Sequence, residues 1–171
     1  NGTELTLLMV LRLKAATGAG WLMSDNDLYA DPAKGVGLSL AEGGRLVRPV
    51  VGTQTNYIAN QEMAVDGFHV LTLVVTPERF ELYVDGNIER GFNKSYLLEV
   101  TQDSSSSPGE AAEAGASLME IGRRATLGFV QPLFKGDLGD VVGFGRTLAS
   151  REQWLVQRAL CLKWAIADCS A

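Results

Sequence analysis

Residues 134–166 read FKGDLGDVVGFGRTLASREQWLVQRALCLKWAI, and the fold is decided there. Leu138, Val141 and Phe144 punctuate a glycine-interleaved segment that predicts a β-strand, with Gly136, Gly139, Gly143 and Gly145 letting neighbouring chain approach closely. That strand is expected to run through the middle of a sheet. After Arg146-Thr147-Leu148, Ser150 followed by Gln153 has capping-box spacing, so a helix is predicted to open at Ser150. Leu155, Ala159, Leu162 and Ile166 then recur at i, i+4, i+7 and i+11, an apolar stripe expected to cover an edge or end of the β structure.

Working outward, the rest of the chain reads as strands. Residues 4–14 (ELTLLMVLRLK) alternate Leu5, Leu7, Met9, Leu11 and Leu13 with Thr6, Leu8, Val10, Arg12 and Lys14. The second set is itself half apolar, which predicts a strand covered on both faces. Shorter strands are predicted over 21–23, 36–40 and 45–51, with Gly43-Gly44 as a hairpin turn. Residues 68–76 (FHVLTLVVT) carry the densest β-branched run, and 79–84 (RFELYV) alternates before the hairpin signal Asp85-Gly86-Asn87. Residues 88–100 predict one or two weaker strands, and 118–121 (LMEI) one more before Gly122. Residues 102–116, rich in serine, alanine and glutamate, are expected to be a flexible surface loop. About ten short strands, frequent turns and one terminal helix give an all-β class: a sandwich or barrel.

Composition narrows the function classes. With 171 residues, 46% hydrophobic and 20% charged, the chain is expected to form a single domain spanning 1–171. Its net charge of −5 offers no basic face for nucleic acid or for anionic lipid. Starting at Asn1 within a few residues of strand pattern, it reads as a module excised from a larger protein. Two glycosylation sequons, Asn1-Gly2-Thr3 and Asn93-Lys94-Ser95, fit an extracellular setting. Cys161 and Cys169, eight apart, could form a bridge if the chain turns back after the helix; the alternative is a buried free Cys161 and an unpaired Cys169.

Phe68-His69-Val70, the RFELYVDGN segment, Leu118-Met119-Glu120-Ile121-Gly122 and the closing stretch together resemble laminin-G-like, concanavalin A-like jelly-roll domains. In the closing stretch the matching residues are Gly136-Asp137-Leu138, Val141, Phe144, Arg146, Leu148, Ser150, Val156, Leu160 and Lys163-Trp164. The chain departs from the family pattern at Gly139-Asp140, and the strand that usually precedes the first one here has no counterpart. The resemblance implies an antiparallel two-sheet jelly-roll β-sandwich, with about six or seven strands in each sheet and a C-terminal helix, acting outside the cell on carbohydrate or on a protein partner.

Candidate chemistry follows from residue types. No strand carries the E-x-D-x-x-E pattern of a retaining glucanase. Asp137 and Asp140, three apart, are expected on opposite faces of a regular strand. The chain is therefore expected not to be an enzyme. His69 is the only histidine, which excludes a multi-imidazole metal site; it is expected to hold a neighbouring loop by hydrogen bonds. Asp25, Asn26, Asp27 and Asp31 cluster in one loop, where Asp25, Asp27 and Asp31 are candidate calcium ligands as hard oxygen donors. Tyr29, Gln54, Asn56 and Tyr57 combine aromatic faces with amides in loops, the pairing a sugar site needs, and are the candidate ligand contacts. Trp154 and Trp164 on the helix are expected to pack. The function expected is lectin-like recognition of glycan, with an architectural protein-interaction module, contacting an extracellular protein or other domains of the same chain, as the alternative.

Overall fold

The computed structural model describes residues 4–14, 20–25, 36–41, 43–51, 61–76, 79–93, 119–122, 134–167 and 169. Among the described residues, nine strands precede one helix: β1 Leu5–Leu13, β2 Gly20–Asp25, β3 Val36–Leu40, β4 Val47–Val51, β5 Phe68–Val75, β6 Arg79–Val84, β7 Asn87–Asn93, β8 Met119–Ile121, β9 Gly136–Phe144 and α1 Ser150–Lys163. They form two antiparallel sheets, ordered β7-β6-β5-β1-β9 and β4-β3-β2-β8. The segment 102–116, expected to be a loop, lies outside the described residues.

The two faces of β1 explain the architecture. Leu7, Met9, Leu11 and Leu13 point between the sheets, where they meet Leu22 and Met23 from β2, Leu38 and Leu40 from β3, and Leu71, Leu73, Phe80 and Leu82 from β5 and β6. Each such side chain taken fully from water contributes about 1.5–3 kcal/mol, so this layer holds the sandwich together. The opposite set, Thr6, Leu8 and Val10, is equally buried, but under α1.

The β6–β7 hairpin has the two-residue loop that Asp85-Gly86 predicted, with φ of 50° and 85°. Positive φ at both central residues matches the strand twist, and glycine takes the second position without steric cost.

Three expectations about the closing stretch are corrected. First, β9 is the end strand of its sheet among the described strands, not a central one. Its glycines admit side chains instead: a Cβ at Gly139 would lie 2.7 Å from the Trp164 ring. Second, the helix N-cap is Ala149, not Ser150. The Ala149 N–H donates to the Glu152 carboxylate (2.9 Å), and alanine has no oxygen to return the bond. Arg146 grips the same carboxylate through two hydrogen bonds of 2.8 Å.

Third, the stripe Leu155–Ala159–Leu162 does not face the sandwich. Leu155 and Leu162 are 52% and 74% exposed. The docked face instead carries Gln153, Val156, Gln157, Leu160, Cys161 and Trp164, which also follow helical spacing. The helix lies across the outer face of the five-stranded sheet, not at an edge or end. Polar side chains on that face select the rotation. Gln157 Nε2 donates to the Thr72 hydroxyl of β5 (2.8 Å, buried). The Thr6 hydroxyl donates to the Arg146 carbonyl and accepts the Leu148 N–H, both at 3.0 Å, fixing the entry to α1.

The helix closes in a Schellman turn: the Ala165 N–H donates to the Leu162 carbonyl, the Ile166 N–H to the Cys161 carbonyl, and Ala165 sits at φ 50°. The reversed chain lets Cys169 bond Cys161, so the bridge is formed.

Candidate binding surface

Beyond the C-terminal end of α1, the outer face of the five-stranded sheet is left to polar and aromatic residues. The cause is a β-bulge. Across β1 and β9, Leu11 pairs with Leu138 and Met9 with Val141, so Gly139 and Asp140 together oppose Val10. The extra residue returns Leu138 and Val141 to one face, and it brings Asp140 onto the outer face already occupied by Asp137. The expectation of opposite faces assumed unbroken alternation and is corrected. The sequence signal was present: the apolar residues at 138 and 141 that share a face are three apart, where a regular strand needs an even spacing.

Around these carboxylates a continuous strip assembles. Lys14 Nζ reaches Asp137 Oδ1 at 2.8 Å, and Arg12 Nε donates to Asp137 Oδ2 at 2.8 Å. The Arg12 guanidinium also lies over the Phe68 ring, 4.9 Å from its centroid. Phe68 packs on Trp164 with centroids 4.8 Å apart and planes tilted by 46°. Trp164 Nε1 donates to Asp140 Oδ2 (3.0 Å), and Lys163 Nζ donates to both oxygens of that carboxylate (2.9 and 2.7 Å).

Hydrogen bonds from Lys14 and then Arg12 hold the Asp137 carboxyl below its ordinary range. Lys163 and Trp164 do the same for Asp140. Both are therefore anions at neutral pH, equipped to accept hydrogen bonds and not to donate protons. The strip offers ring surface flanked by acceptors and donors, all partly open to solvent, with Lys14 at 56% and Lys163 at 61%.

The histidine has a different role. His69 Nδ1 faces Asp85 Oδ2 at 2.7 Å and Nε2 faces the Ala64 carbonyl at 2.9 Å. The ring thus bridges a buried carboxylate on one side and a backbone carbonyl on the other. Asp85 Oδ1 also accepts the Val70 N–H at 2.8 Å. The hairpin turn, the start of β5 and residue 64 are thereby pinned together, the loop-holding role expected for this histidine.

Of the sequence candidates, Tyr29, Gln54, Asn56 and Tyr57 lie outside the described residues, as do Asp27 and Asp31. Asp25 ends β2 opposite Met119 of β8. Among the described residues no group of three or more His, Cys, Asp or Glu could hold a metal ion, and no helix is long and apolar enough to cross a membrane. Reasoning from sequence passed over Arg12, Lys14, Asp137, Asp140 and Lys163 because they come together only across three elements. Trp164 packs as expected, whereas Trp154 is 38% exposed.

No protein family and no curated protein matches the sequence. Solved structures do match its shape. Sialidase of Trypanosoma rangeli in complex with sialic acid superposes with TM-score 0.59 at 18% identity, over 99% of this chain and 24% of that one. A proposed carbohydrate-binding protein of Bacteroides ovatus gives 0.62 at 13% identity, over 91% of this chain and 40% of that one. The heptameric SAP-like pentraxin of Limulus polyphemus gives 0.55 at 12% identity, over 88% and 68%. The chain thus spans about a quarter of the sialidase and under half of the Bacteroides protein.

The fold is a β-sandwich of two antiparallel sheets with one helix among the described residues, shared with these structures. The expectation that the chain is not an enzyme is corrected by these likenesses, since sialidases stand among the first of them. A missing glucanase motif excludes one arrangement of carboxylates, and a fold shared with catalytic chains does not separate binding from catalysis.

Proposed function

We propose that this chain is a carbohydrate-binding sandwich module of the laminin-G-like, concanavalin A-like kind, working outside the cell within a larger protein. The observation that carries the reading is the strip from Lys14 through Asp137, Arg12, Phe68 and Trp164 to Asp140 and Lys163. Sugars present apolar C–H faces edged by hydroxyls, and the strip sets aromatic rings beside carboxylate acceptors and cationic donors in that alternation. Asp137 and Asp140 keep lone pairs beyond those their cations engage, because an ionised carboxylate has about four acceptor sites. The likeness to a proposed carbohydrate-binding protein and to a pentraxin supports the same reading.

Tyr29, Gln54, Asn56 and Tyr57 are proposed as further sugar contacts, and Asp25, Asp27 and Asp31 as ligands of a calcium ion that stabilises their loop. The test is a glycan array spanning neutral, sulfated and sialylated sugars, followed by calorimetry on the best binder. Lys14→Ala and Asp137→Asn should each weaken that binder about tenfold if the strip is the site, as loss of a charge-assisted hydrogen bond implies. Tyr57→Ala weakening it while the strip variants do not would move the site to the loops. An array with no binder would overturn the reading. Millimolar calcium should raise the melting temperature, and no change would remove the ion.

A further inference from the structure

We propose that the outward face of α1 is a docking surface for an acidic protein surface, independent of the sugar reading. Arg151, Leu155, Arg158 and Leu162 fall at i, i+4, i+7 and i+11, so they form a single stripe opposite the docked residues Gln153, Gln157 and Leu160. All four are exposed, Leu162 at 74%, and Trp154 flanks them. At the C-terminal end the stripe opens into a groove of 450 Å³ walled by Arg158, Leu162, Ala165, Ile166 and the Cys161–Cys169 bridge. Single exposed leucines are ordinary, but two leucines and a tryptophan on one helix, leading into a groove of mixed polar and apolar lining, form a patch.

Charge names the occupant. The chain carries 20 acidic and 15 basic residues, yet this stripe contains two arginines and no acid. The neighbouring cations are already neutralised, Arg146 by Glu152 and Lys163 by Asp140. Arg158 instead lies over the Trp154 ring, 5.0 Å from its centroid, and neither it nor Arg151 forms an ion pair among the described residues. The face is therefore locally positive on an anionic molecule. Its complement is a partner presenting carboxylates about 10 Å apart, the seven-residue separation of Arg151 and Arg158 along a helix, around an apolar side chain that enters the groove.

A second copy of this stripe brings four guanidinium groups together with no acid to meet them, which argues against a two-fold pairing through it. An anionic membrane meets repulsion from the remaining net negative charge. Branched aliphatic side chains offer no plane for a sugar ring, so glycan fits poorly against Leu155 and Leu162.

The test uses a fluorescein-labelled amphipathic peptide with Glu at i and i+7 flanking leucines, and the same peptide with Lys for Glu. Fluorescence anisotropy should show binding of the glutamate peptide to the native protein, weakening with added salt, and none of the lysine peptide. Arg151→Glu with Arg158→Glu should weaken the glutamate peptide at least about tenfold and restore binding to the lysine peptide, a reversal that misfolding cannot mimic. Leu162→Ser should weaken binding about fivefold without changing charge preference. Equal binding of both peptides, or none of either, overturns the proposal. So does dimerisation of the native protein that Leu162→Ser abolishes, or binding to phosphatidylserine vesicles that the double arginine variant abolishes.

Discussion

The two faces of β1 are buried to the same degree by different means. Inward, Leu7, Met9, Leu11 and Leu13 enter a large cluster of buried apolar side chains, with buried His69 opposite Leu11 at its margin. Outward, Leu8 and Val10 share their face with Thr6 and Thr72 and are capped by a helix that brings Gln153 and Gln157 into the buried contact. Apolar contacts are non-directional, so the inner layer fixes that the sheets pack, while hydrogen bonds fix how the helix is rotated on them. Without the Thr6 and Thr72 bonds, Leu155 and Leu162 would serve as well as Leu160 to cover the sheet. The difference teaches that burial alone does not choose an amphipathic helix's inner side.

The largest expected effect breaks the inner layer. Leu11→Ala, at a site with 0% exposure, should lower unfolding free energy by about 2–5 kcal/mol in urea titration. A loss below about 1 kcal/mol would mean that the inner layer does not dominate.

Next comes the outer cover. Removing the Cys161–Cys169 bridge by paired alanine substitution should cost about 2.5 kcal/mol, from the chain entropy of a short closed loop. Hydrogen exchange should show that loss concentrated at the end of α1, with β5 and β6 protected; uniform loss would contradict the separation of the two layers.

Gln157→Ala leaves the Thr72 hydroxyl buried without its partner and should cost about 1–3 kcal/mol. Adding Thr72→Val should recover part of it, and a strictly additive double variant would show that the bond does not set the rotation.

The smallest effect is acidic. Glu152 is depressed from 4.5 to about 2 by hydrogen bonds from Arg146 and the Ala149 N–H, and Asp137 and Asp140 are lowered by their cations. Groups with lowered folded pKa values contribute stability that is complete above their unfolded values and lost as pH falls through the folded ones. These carboxylates lie on or beside the helix cover, away from the inner cluster around Leu7, Met9, Leu11 and Leu13. From pH 4.5 to about 2, helical circular dichroism and the fluorescence of Trp154 and Trp164 should therefore decline before the strand signals. Glu152→Gln should remove the part of that decline due to the helix start.

Much of the sandwich was legible in the sequence. The RFELYV strand has the limits expected of it, and β1 and β5 match theirs to within a residue at either end. Alternation and turn chemistry are local, so a sequence displays them directly. The Asp85-Gly86 turn was equally plain. The binding strip was not, because Arg12, Phe68, Asp137 and Trp164 meet through sheet pairing and helix docking between distant segments. The Asp137–Asp140 arrangement failed for a narrower reason: the spacing of Leu138 and Val141 signalled a bulge that the assumption of regular alternation concealed.

By itself, then, the sequence determined that the chain is all-β, built of short strands and frequent turns with one C-terminal helix, because residue periodicity and turn preferences depend only on near neighbours. Tertiary structure alone decided which side of α1 faces the sheet. The helix carries two stripes of comparable apolar content, and the choice between them rests on Thr6, Leu8, Val10 and Thr72, which are 78 or more positions away in the chain. The stripe that lost that competition, Leu155 and Leu162 between two arginines, is the surface left for a partner.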